Sequence, residues 1–251
     1  MAVALPRRLF EMVTWPLGIA LTSWVYIWRT TPMHRRELEG SLEDDLPPGI
    51  HAEVSRDGVK RPEDGAGPLF HRIYTGRVRD SDWSEDELME RVRADPNFVA
   101  PLALARFTKT SGPPWQMEVG DEFVVRMPGP WDGPIRVVEL TPTSFRFATL
   151  VGHLEAGQIE WSARRDGELL VFRIESWARA GDRLSALLHD RIRMAKEVQL
   201  HMWTSVVEKV VARTGGRLEG GIDIETRRVP AEAFDRRPAV PAAQLTAAAP
   251  R

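Results

Sequence analysis

"TLVGHLEAGQIEWSARRDGELLVFRIESWAR", residues 149–179, contains two strand-like runs and the turns that set their register. Residues 158–164 and 169–177 alternate in polarity and carry Ile, Val, Phe and Trp, so each reads as a strand. Asp166-Gly167 between them is a hairpin signal, because that pair accepts positive φ in a type I′ turn. The segment "HLEAG" then turns the first of these runs back from a preceding strand over residues 144–151.

Upstream, the pattern repeats. Residues 69–80, 107–111, 122–127 and 135–140 read as further strands, separated by "GPPW", "PGPWDGP" and "TPT". Spacings this short favour antiparallel meander pairing. Between the first strand and the rest lies a helix. Ser84 is its N-cap, Glu87 completes a capping box, and Pro96 ends it. A second, short helix is expected over residues 99–105.

Downstream, residues 182–214 contain no Pro or Gly and stop at Gly215-Gly216. Leu184, Leu188, Ile192, Ala195, Met202, Val206 and Val210 follow a three-or-four spacing, so the helix has one apolar face and must cover something apolar. The expected fold is therefore α+β. A curved seven-stranded antiparallel sheet wraps on a long C-terminal helix, with a cavity between them.

That element order is the helix-grip layout of the START-like (SRPBCC) superfamily, which includes the birch pollen allergen and polyketide cyclases. Within residues 69–214 the chain also resembles the bacterial and plant family known as domain of unknown function 1990. The resemblance rests on Gly152, His153, Glu155 and Gly157, which match a Gly-Thr-Leu-x-Gly-His-Pro-Glu-x-Gly-Glu-like segment. Ala148, Leu154 and Gln158 depart from it. It implies the START-like fold and a hydrophobic or amphipathic ligand, and it implies no particular reaction.

The ends of the chain differ in composition. Residues 12–28, "MVTWPLGIALTSWVYIW", carry no charge and are flanked by arginines. Signal peptide, single span, interfacial anchor and packed apolar arm are the four readings. The lack of a cleavage site disfavours the first, and membrane contact, as span or as anchor, competes evenly with the packed arm. Membrane-surface contact would run through residues 9–36. Residues 37–68 hold nine acidic residues and read as a polar linker with little order of its own. Residues 228–251 are half Ala and Pro and read as a disordered tail.

The chain has 251 residues and a formal net charge of −2, so no basic field draws it to nucleic acid. The absence of Cys removes disulfides, thiolate catalysis and Cys–metal sites, and it fits a reducing cytoplasm, with the arm at the inner membrane. No HExxH, P-loop, G-x-S-x-G elbow or dinucleotide fingerprint is present, so neither a metal nor a cofactor is expected.

The ligand-contact candidates are His153, Glu155, Glu160, Glu175, Arg146, Trp131, Trp161 and Met202. His153 with Glu155 could handle a proton. The reading set against this, and preferred, is that it braces the turn by a backbone hydrogen bond, with Gly152 and Gly157 supplying unusual angles. Glu160 and Glu175, with Arg146 near them, either fix a polar headgroup in the cavity or pair across strands on the solvated face. Trp131 is a lid or a packed loop residue. Three functions are open: binding of a hydrophobic or lipid-like molecule, a cyclase- or dehydratase-like enzyme using these acids, and a membrane-tethered adaptor without ligand. The oligomeric state is not legible.

Overall fold

The computed structural model describes residues 31–55, 57–127, 132–181 and 193–235, the side chains of residues 193–198 and 235 excepted. Nine strands form one sheet in the order β1-β9-β2-β8-β7-β6-β5-β4-β3. They are β1 (Met33–Glu39), β2 (Ala66–Arg79), β3 (Arg106–Ser111), β4 (Glu122–Arg126), β5 (Asp132–Leu140), β6 (Ser144–Thr149), β7 (Glu155–Asp166), β8 (Leu169–Ala180) and β9 (Arg217–Val229). Every neighbouring pair is antiparallel except β1 and β9, which run parallel. The described α-helices are α1 (Glu85–Ala94), α2 (Arg193–Arg213) and α3 (Ala231–Asp235).

The mostly-sheet α+β class agrees with the expectation, and two details do not. The sheet has nine strands rather than seven. The long helix is also not the last element, because the chain continues into β9, which pairs with β2. The helical pattern over residues 182–192 lies outside the described residues. The capping box forms: Ser84 Oγ accepts from the Glu87 N–H, and the Glu87 carboxylate accepts from the Ser84 N–H. The short helix expected over 99–105 is instead a 3₁₀ turn at Pro96–Phe98 followed by turns in which the Leu104 and Ala105 N–H groups both reach Pro101 O. The β7–β8 hairpin loop is Gly167-Glu168, not Asp166-Gly167. Asp166 pairs with Leu169, and only Gly167 has positive φ (59°), the glycine-first pattern of a type II′ turn.

Strand alternation fixes two faces. Phe70, Arg72, Tyr74, Gly76 and Val78 of β2 share a side with Ile174 and Phe172 of β8, Trp161 of β7, Phe147 of β6 and Ile135 of β5. This is the inner face, and α2 lies on it. Gln199 of α2 hydrogen-bonds Arg72, while Val207 crowds Gly76 so closely that a Cβ there would sit 2.3 Å from Val207 Cγ1. Eight helical residues advance about 12 Å and four strand residues about 13 Å, so α2 runs alongside β2 in the same direction. Tyr74, Phe107, Phe123, Phe145, Phe147, Trp161, Phe172, Met202, Val206 and Val210 belong to one buried cluster. Each fully buried side chain of this size contributes roughly 1.5–3 kcal/mol.

The outer face is covered by a segment expected to be a loose linker. Residues 41–60 cross it as a strap, from β2 to β5. Asp45 reaches His71, Pro48 O accepts from Gln158, Gly49 O accepts from Arg146, and Val54 O and Asp57 O accept from Arg136. The correction has a physical cause: the acids and carbonyls of this segment meet Arg, His and Gln side chains that the strands send outward. Residues 228–235 of the expected tail are instead structured. Val229 closes β9, and Phe234 of α3 packs with Leu69 and Trp177 in a second small core on the outer face. Residues 236–251 lie outside the described residues, as do residues 1–30 and hence the apolar run at 12–28. Among the described residues no helix is long and apolar enough to cross a membrane.

Candidate functional site

The eight residues singled out by sequence divide between the two faces. Trp161, Met202 and Glu155 lie on the inner side. Trp161 is fully buried and meets Phe107, Phe145, Phe172 and Trp203 at ring-centroid distances of 5.8, 5.5, 6.3 and 6.0 Å. Trp131 lies outside the described residues.

Arg146, Glu160 and Glu175 face outward, away from the helix, which corrects the expectation that they line the space beneath it. The register forces this: each alternates with an inward aromatic or aliphatic residue, namely Phe145 and Phe147, Ile159 and Trp161, and Ile174. Outside, they form an ionic row beneath the strap. Arg146 pairs with Glu139 and lies 4.0 Å from Glu160, and Arg173 Nη2 lies 2.8 Å from Glu175. Burial holds the Glu160 carboxyl above its ordinary range. Arg146 opposes that shift, and Glu175, its direct cross-strand partner, reinforces it. In the same row the buried His71 ring lies 2.7 Å from Asp45 through Nδ1 and 2.6 Å from Glu175 through Nε2, stacked on Trp177 with ring centroids 5.1 Å apart.

His153 braces a corner. Its Nδ1 accepts from the Glu155 N–H at 2.9 Å, so the neutral ring carries its proton on Nε2. Its carbonyl accepts from Lys60 Nζ at 3.0 Å, and its ring packs over Gly133. Burial lowers its pKa; the Glu155 charge opposes that shift, and Lys60 adds to it. Gly152 supplies a left-handed backbone (φ 99°), as the turn requires. Gly157 serves differently: a Cβ there would sit 1.8 Å from Trp177 O, so the residue permits close strand approach rather than an unusual angle. The corner also receives the end of the strap, where the Lys60 N–H donates to Thr149 O and the Val151 N–H donates to Gly58 O.

The inner face carries polar groups that the sequence reading passed over. Arg72 of β2 is 5% exposed and stacks its guanidinium over Phe70 at 4.6 Å. Its one hydrogen bond among the described residues runs from Nη1 to Gln199 Oε1 at 3.1 Å. Gln199 Nε2 in turn donates to Glu155 Oε1 at 2.7 Å, so the amide stands between the guanidinium and the carboxylate. Thr226 of β9 and Ser176 of β8 are the direct cross-strand partners of Arg72, one on each side. That places their Cβ atoms about 5 Å from that of Arg72. Both are buried, and among the described residues neither hydroxyl has a hydrogen-bond partner. A buried guanidinium without a carboxylate, flanked by two idle hydroxyls, is costly unless something else occupies its remaining donors.

Signals for these residues exist in the sequence. Arg72 interrupts the alternating stripe Phe70, Tyr74, Val78. Gln199 fills the single gap in the helical stripe, between Ala195 and Met202. The two interruptions meet each other. Among the described residues no group of three or more His, Asp or Glu side chains is placed to hold a metal ion.

No family model matches the chain. No curated protein matches it either. Among solved structures it is similar to hypothetical protein jhp0584 from Helicobacter pylori, with TM-score 0.42 and 10% identity over 56% of this chain and 87% of that one. It is similar to major latex-like protein 151 from Panax ginseng, with TM-score 0.39 and 17% identity over 58% and 98% of the two chains. Norcoclaurine synthase from Thalictrum flavum, in complex with dopamine and hydroxybenzaldehyde, gives TM-score 0.40 and 10% identity over 66% and 95%.

Proposed function

We propose that the protein binds an amphipathic small molecule between the inner face of the sheet and the long helix. The observation that carries this reading is a row of buried polar groups on a face built mainly of aromatic and aliphatic side chains: Arg72, whose one hydrogen bond among the described residues goes to a neutral amide, and Ser176 and Thr226, whose hydroxyls have no partner among those residues. A few convergent polar groups in an apolar setting orient a ligand and set its specificity. Outward placement of Glu160 and Glu175 removes them from acid–base chemistry under the helix, and the Nδ1 of His153 is committed to a backbone N–H. Binding is therefore favoured over the cyclase- or dehydratase-like alternative. The resemblance to the domain of unknown function 1990 family fits the same reading, because the matching segment forms the corner beside Glu155.

Native mass spectrometry of the full chain, followed by solvent extraction, tests the proposal. A recovered apolar or amphipathic molecule in stoichiometric amount supports it. A homogeneous unliganded mass, with no uptake of offered amphiphiles, contradicts it. We further propose that residues 9–30 hold the protein at a membrane surface. The test is deletion of residues 1–30, which spares β1, since the strand begins at Met33. Release from the membrane fraction supports the anchor, and unchanged fractionation contradicts it.

A further inference from the structure

Resting on the binding reading above, we propose that the ligand is a monocarboxylate amphiphile, its carboxylate paired with Arg72 and its apolar body directed toward Ile159, Phe147 and Trp161. Arg72 is a full positive charge, 5% exposed, with no carboxylate within ion-pair distance among the described residues. Its neighbours on the sheet are both hydroxyl donors, so Thr226, Arg72 and Ser176 present three adjacent donor groups in one line. A carboxylate is the group that matches a guanidinium edge in two parallel hydrogen bonds, with further acceptor sites free for hydroxyls.

Glu155 limits the charge of the ligand. It lies on the far side of Gln199, which separates it from Arg72 by two hydrogen bonds in series. Its negative charge tolerates one ligand charge balanced by Arg72 and disfavours a second, which selects a carboxylate over a phosphate monoester. The direction of the apolar body follows from the register. The cross-strand row from Arg72 passes through Ser176 to Ile159 and on to Phe147, with Trp161 two residues further along β7. No other described face of the helix–sheet contact offers a buried, unpaired cation next to aromatic rings.

The test is calorimetric titration of the full chain with decanoate, 1-decanol and decyl phosphate, repeated with Arg72→Met and Glu155→Gln. The expected result is decanoate binding at least about tenfold tighter than decanol. Arg72→Met should bring decanoate to the level of decanol. Glu155→Gln should tighten decanoate several-fold by removing the neighbouring charge, a readout that holds even if Arg72→Met fails to fold. Equal affinity for decanol and decanoate in the wild-type protein overturns the carboxylate assignment and leaves the binding reading standing. Tighter binding of decyl phosphate than of decanoate overturns it as well. Failure of all three probes to bind folded wild-type protein overturns the underlying binding reading.

Discussion

His71 and Arg72 are adjacent in β2 and point to opposite faces, where the protein surrounds a buried polar side chain in two ways. On the outer face His71 lies between Asp45 and Glu175, with Arg227 3.6 Å from the same Asp45. On the inner face Arg72 has, among the described residues, one neutral amide, an aromatic ring and no carboxylate. The outer arrangement reads as architecture, since its charges fasten a strap to the sheet. The inner one is the site proposed above for a ligand head group. Burial alone does not separate structural from functional polar residues. The identity of their partners does.

Opposite responses to substitution are expected at the two positions. His71→Ala should cost about 3 kcal/mol, because it leaves two carboxylates crowded beneath the strap with only arginines at their edges. Urea denaturation of the variant measures this, and a loss under 1 kcal/mol would mean the ionic row contributes little to holding the strap. Arg72→Met should be neutral or stabilising by about 1 kcal/mol, because an unpaired buried charge is exchanged for an apolar chain of similar length. A marked loss on the same urea curves would make Arg72 a structural residue and dissolve the contrast. Such a trade of stability for binding is common at functional sites.

Two smaller effects sharpen the comparison through pH. Burial lowers the His153 pKa, so between that value and the unfolded 6.5 the unfolded chain holds a proton that the folded ring refuses. Stability attached to this group is therefore complete above 6.5 and falls as pH drops below it. His153→Gln should flatten that part of the stability profile, read from urea midpoints at successive pH values; an unchanged slope would remove the corner histidine from the account. Glu160 behaves in the opposite sense. Its carboxyl is raised above 4.5, so the fold is penalised at neutral pH and relieved as pH falls through the raised value. Glu160→Gln should stabilise by about 0.5 kcal/mol at neutral pH, given a like charge directly across the strand pair. The gain should vanish below 4.5, and thermal melts at both conditions check it.

Much of this contrast was legible in the chain. The strands from β2 to β8, the capped helix α1 and the long helix α2 all follow from alternation, spacing and punctuation. β9 did not, and the cause is local. Gly220 and Gly221 both take positive φ, 71° and 88°, at a register shift opposite Gly76 and Arg77. The glycine pair leaves no apolar side chain between Leu218 and Ile222, so the strand resembles a charged coil. β1 carries almost no signal because it is exposed along nearly its whole length and pairs only at the sheet edge. The strap resembled a linker because Asp45 meets His71 26 residues away and the strap carbonyls meet side chains farther still, distances that composition does not report. The face on which Glu160 and Glu175 lie could have been read from their alternation with Trp161 and Ile174. The partners of Arg72 could not.

The central claim is that ligand enters on the Trp161 side of the sheet and not on the Trp177 side. Both indole Nε1 groups are buried without a hydrogen-bond acceptor, which makes their N–H resonances matched reporters, one for each face. A ¹H–¹⁵N correlation spectrum of the protein, assigned with Trp161→Phe and Trp177→Phe and titrated with decanoate, tests it most directly. The account predicts that the Trp161 indole peak moves in a saturable way while the Trp177 peak stays fixed. Movement of Trp177 with Trp161 unchanged, or of neither, would contradict it.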